Sequence, residues 1–89
     1  MLLEAERIVN GYNQGRIKQH SLNHAIYGHG PYGFLPAPVE AAFLHAAAEH
    51  RAWLVAGCPA HRGVLDGALL DLVRAVDAEA ERRNVSDLP

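Results

Sequence analysis

Apolar positions recur at helical spacing along most of the 89-residue chain. In residues 2 to 14, Leu2, Ala5, Ile8, Val9 and Tyr12 follow the i, i+3, i+4, i+7 pattern of one helical stripe, with Glu4, Glu6 and Arg7 elsewhere around the cylinder. Gly11 weakens the second half of this helix and Gly15 is expected to end it, because glycine is a poor helix former. Ser21 can cap a short helix over residues 21 to 27, with Leu22, Ala25 and Ile26 on one face and Gly28 as its left-handed stop. An uninterrupted helix from Ile17 is the alternative.

Residues 28 to 38 read GHGPYGFLPAP, and their glycines and prolines exclude both a persisting helix and a central strand. A loop is expected. A middle helix should run over residues 38 to 56, with Pro38 suited to its first turn and Glu40 near its positive dipole end. Gly57 closes it. Residues 57 to 63 then form a turn unless the last helix starts early at Pro59. That last helix is expected over residues 64 to 83, where Leu65, Leu69, Leu72, Val73, Val76 and Ala80 make one stripe and Asp66, Arg74, Asp77 and Glu81 lie opposite. Residues 84 to 89 read as a frayed tail.

No segment shows the alternation of a strand pair. The pattern therefore predicts an all-α fold: a single domain over residues 1 to 89, built as a small bundle of three main helices plus a short helix, with a Gly/Pro-rich loop before the middle helix. At about 100° per residue, the middle helix has two apolar faces. Val39, Phe43, Ala46, Ala47, Trp53 and Leu54 form one, with His50 at its centre; Leu44, Ala48, Ala52 and Val55 form the other. Two-sided apolarity implies burial on both sides, either as a central helix sandwiched within the chain or against another chain. Leu70 stands among polar positions of the last helix, so Leu44, Val55 and Leu70 are the candidate oligomer interface, of a homodimer in the first instance.

Composition narrows the function classes. Of the 49% hydrophobic residues, 15 are alanine, so the core is limited and the interior has little room for an enclosed substrate cavity. The single Cys58 excludes an internal disulfide framework and any multi-cysteine zinc module. No apolar run approaches the ~20 residues of a membrane span, and Met1-Leu2-Leu3 is followed by charged residues rather than a signal-peptide core. A cytoplasmic protein without membrane partners is expected. Seven arginines against one lysine, with the alanine content, point to a G+C-rich bacterial or bacteriophage coding source.

Six histidines raise the question of metal. His20 and His24 would share a face if one helix covered both, which is the geometry of a two-imidazole site, and this pair is the weaker alternative to no metal and no cofactor. His45 and Glu49 are also four apart. Cys58 at a helix start, with His61 one turn on, is the best nucleophile candidate, but spacing supplies no third orienting group. His50, on the apolar face, is expected to be a core histidine with both ring nitrogens satisfied. Gly28, Gly30 and Gly33 match G-x-G-x-x-G without the strand and helix that a dinucleotide fingerprint needs.

The segment from Asn10 to Phe34 carries the strongest functional signal. It has no acidic residue, while Arg16, Lys18 and three histidines accumulate with all three tyrosines and several amides. These residue types suit a recognition surface, and the positive charge favours an acidic partner. Tyr12, Arg16, Lys18, Tyr27, Tyr32 and Phe34 are the candidate partner-binding residues. The expected function is non-enzymatic: a small adaptor, regulator or inhibitor that binds a larger protein with an acidic surface. A His/Cys-dependent metal protein or small enzyme is the rival. Nucleic acid is the third option, weakened by eight acids against five arginines in residues 39 to 89 and by the net charge of -2.

Overall fold

The computed structural model describes residues 2–27 and 35–87. Every regular element among them is helical: α1 (Leu2–Asn13), a 3-10 turn (Gln19–Ser21), α2 (Leu22–Tyr27), α3 (Ala37–Ala56) and α4 (Pro59–Asp87). No helix among the described residues is long and apolar enough to cross a membrane. The Gly/Pro-rich stretch at residues 28–34, with its G-x-G-x-x-G spacing, lies outside the described residues.

α1 ends in a Schellman turn. Gly15, at φ 78°, donates to the Tyr12 carbonyl at 3.1 Å, and Arg16 N–H donates to the Gly11 carbonyl at 2.9 Å. The helix runs through Gly11 to Asn13, and Gly11 also makes room. A Cβ there would lie 2.9 Å from Ile17 Cδ1, so the missing side chain lets the returning chain pack on α1.

The α3–α4 connection is tighter than the sequence pattern suggests. Gly57 takes φ 63° and donates to the Trp53 carbonyl at 2.8 Å, and Pro59 opens α4 at once. The Cys58 carbonyl accepts from His61 N–H at 3.1 Å and Arg62 N–H at 3.2 Å. The expected turn over residues 57 to 63 is thus only Gly57 and Cys58, and the alternative start at Pro59 is the observed one. Proline needs no hydrogen bond in the first helical turn and brings a helical φ with it. At the other end α4 continues to Asp87, through most of what the pattern assigns to a frayed tail. Its 29 residues make a rod about 43 Å long, which sets the 50 Å long axis of the molecule.

The core lies where α1, α2, α3 and α4 meet. Val9, Leu22, Val39, Phe43, Leu65 and Leu69 are the largest fully enclosed side chains, and burying each such group contributes about 1.5–3 kcal/mol. α3 buries only its first apolar face, through Val39, Phe43, Ala46, Ala47 and His50. The sandwiched-helix expectation fails here. α1 and α4 both pack on that one side, leaving Leu44, Ala48 and Val55 exposed, Val55 at 90%.

Candidate binding surfaces

A polar cluster joins α1 to α3. Arg51 Nη1 donates to Asn13 Oδ1 at 2.8 Å, which turns the amide nitrogen of Asn13 inward. That nitrogen donates to the Ala47 carbonyl at 3.0 Å and faces His50 Nδ1 at 3.5 Å. His50 is 3% exposed, and its ring sits beside Trp53 with centroids 5.9 Å apart. Its Nε2 has no hydrogen-bond partner among the described residues. The expected core histidine is therefore satisfied at one nitrogen only, whereas leaving a buried polar group unpaired costs about 1–3 kcal/mol.

A second cluster ties α1 to α4. Arg62 donates to both carboxylate oxygens of Glu6, at 2.8 and 2.6 Å, and pairs with Asp66 at 3.0 Å. Its guanidinium carbon lies 4.9 Å from the centre of the Trp53 ring. The hydrogen bonds from Arg62 hold the Glu6 carboxyl below the usual glutamate range, against the opposing effect of burial, and Arg62 is raised in turn by Glu6. Between the two clusters an open cleft of about 470 Å³ runs along α1 and α3, with Glu6, Arg7, Asn10 and Gln14 on one side, His50 and Trp53 on the other, and the exposed Leu3 and Leu54 among its lining residues. Spacing gave no warning of this cleft: Glu6 reads as a solvent position of α1, and Asn10 and Gln14 enter only as amides of the acid-free segment, with nothing to set them opposite His50.

The residues expected to bind a partner separate into three groups. Tyr12 is half-buried, its ring edge-on to Phe43 at 5.2 Å and 82°, so most of its surface is committed to the core. Arg16 and Lys18 are exposed just beyond α1, and the Arg16 guanidinium donates to the Gln14 side chain. Tyr32, Phe34 and the side chain of Tyr27 lie outside the described residues.

The proposed interface residues are all exposed: Leu44 at 40%, Val55 at 90% and Leu70 at 38%. Along α3, Leu44 and Val55 are about 16 Å apart. Counting outward from the Gly57–Cys58 turn puts Leu44 and Leu70 within about one residue, or about 1.5 Å, of the same height on α3 and α4.

The metal and nucleophile candidates do not assemble. His20 belongs to the 3-10 turn and His24 to α2, so no single α-helix sets them one turn apart. No group of three or more His, Cys, Asp or Glu side chains among the described residues is arranged to hold a metal ion. Glu49 approaches His61 Nε2 at 3.9 Å on α4 instead of pairing along its own helix with His45. His61 thus turns to Glu49, and the exposed Cys58 thiol has no hydrogen-bond partner among the described residues.

Comparison with protein-family models, with curated proteins and with solved structures found no match to this chain.

Proposed function

We propose that the protein is a small helical adaptor, regulator or inhibitor that works by occupying a surface on a larger protein and carries out no chemistry of its own. The outward face of α3 supports this reading. A solvated helix face is normally charged, yet here Leu44, Ala48 and Val55 stand exposed along three turns, with Arg51 the one charged residue between Leu44 and Val55 in that stripe. Arg16 and Lys18 add positive charge that suits an acidic partner surface. Exposed side chains of this kind add little to the stability of the free chain, so a role in association is the economical account of them.

Self-association through the same face is a second reading, favoured by the similar height of the exposed Leu44 and Leu70 on neighbouring helices. The two are separated by one set of measurements. Sedimentation of the purified protein reports self-association, and a photo-crosslinking residue at position 55 in the native host reports a larger partner. The larger-partner reading predicts one dominant heterologous adduct, which is lost when Leu44→Asp accompanies the probe while the helical spectrum and melting transition persist. A monomer with no adduct, or an adduct indifferent to Leu44→Asp, refutes it. A dimer converted to a folded monomer by Leu44→Asp favours self-association.

A further inference from the structure

The orientation of Asn13 determines what the α1–α3 cleft can hold. Arg51 can only donate, so the Asn13 atom it touches is the oxygen; the Ala47 carbonyl can only accept, so the atom facing it is the amide nitrogen. That nitrogen is also the atom turned toward His50 Nδ1. Two donors cannot share this contact. In the neutral ring Nδ1 must accept, and the proton resides on Nε2. A buried N–H donor without an acceptor among the described residues then belongs to a side chain that lines a cleft whose other wall carries Glu6, a carboxylate kept in its acceptor form by Arg62.

We propose that this cleft binds a peptide unit bearing an aliphatic side chain, with one backbone carbonyl accepting from His50 Nε2–H, a backbone N–H donating to Glu6, and the side chain packed against Leu3, Leu54 and Trp53. A paired donor and acceptor is the signature an amide recognises, and it recognises no simple anion or cation as well. The charges fit the same choice: Glu6 is paired with Arg62, and Arg7, which also lines the cleft, is paired with Glu4, so each charge on the lining already has its counter-ion and the unmet groups are hydrogen-bonding ones. The apolar rim accounts for the ligand's other half. Leu3 is 83% exposed and Leu54 is 61% exposed, and both stand beside the polar groups rather than over the core. The cleft opens on the α1 side of α3, away from Leu44 and Val55, so its test is independent of the function proposed above.

The experiment uses the full 15N-labelled chain. Long-range 1H–15N spectra should show the His50 ring of the free protein with its proton on Nε2; a ring protonated on Nδ1 overturns the proposal. Titration with N-acetyl-L-leucine N-methylamide should then shift the His50 Nε2 and Trp53 Nε1 signals saturably in the millimolar range. No saturable shift overturns it. Sodium 4-methylpentanoate, which keeps the aliphatic group and replaces the amides by a carboxylate, should bind more weakly; equal or tighter binding overturns the assignment to an amide. Leu54→Asp lies on the exposed rim and should leave the fold intact while weakening the diamide by about fivefold or more. Unchanged binding in that variant places the ligand elsewhere and also overturns the proposal.

Discussion

Arg62 on α4 grips Glu6 on α1 through two hydrogen bonds, of 2.8 and 2.6 Å, across 56 residues of sequence. The same guanidinium lies over Trp53 of α3, so one side chain links three helices. Two-point geometry of this kind is stronger than a single surface contact, although both partners keep some exposure to solvent. Arg62→Met, which keeps the aliphatic stem but removes the charge, should lower stability by about 1 kcal/mol. In a double-mutant cycle with Glu6→Gln, measured by urea unfolding, most of that loss should appear as coupling between the two residues.

The pH dependence of that pair has a defined sign. Glu6 titrates below its ordinary value of 4.5 in the folded protein because Arg62 bonds to its ionised form. Its contribution is therefore complete above the unfolded-state value and disappears as pH falls through the lower folded value. The stability gap between the native sequence and Glu6→Gln should be constant near neutrality and close below about pH 4. Urea midpoints compared across that range check this.

Glycines of α4 and of the connecting turn should respond in opposite directions. Gly63 and Gly67 lie inside α4, and a Cβ at either would meet nothing within 4 Å. Gly63→Ala and Gly67→Ala should each stabilise the free protein by up to about 1 kcal/mol, read as a higher melting temperature. Gly57 has equally open surroundings but holds φ 63°, so Gly57→Ala should lower the melting temperature, at a cost of about 1 kcal/mol.

Tyr12 and the two cations beyond α1 should separate cleanly in stability measurements. Tyr12→Ala removes the ring packed edge-on to Phe43 and should cost about 2 kcal/mol or more. Arg16→Ala and Lys18→Ala change exposed side chains and should stay within about 0.5 kcal/mol of the native sequence. Chemical denaturation of the three variants checks the contrast. A loss of partner binding in Tyr12→Ala would then be read against its folding, whereas a loss in the cation variants reports on the surface itself.

The sequence by itself determined the helices. The stripe through Ala5, Ile8 and Val9, the stripe through Leu65, Leu69 and Leu72, and the stops at Gly15 and Gly57 are local signals. They act through hydrophobic periodicity and backbone φ, which neighbours in sequence are enough to specify. Tertiary structure decided which of the two apolar faces of α3 is buried, because that choice depends on where α1 and α4 dock and both faces satisfy the same period. It also decided that Gly11 serves a close approach by Ile17, that Glu49 turns to His61 rather than to His45, and that Glu6, Asn10 and His50 line one cleft. Those groups come from different helices, so only packing, with its distances and hydrogen-bond directions, could bring them together and leave one nitrogen of His50 without a partner among the described residues.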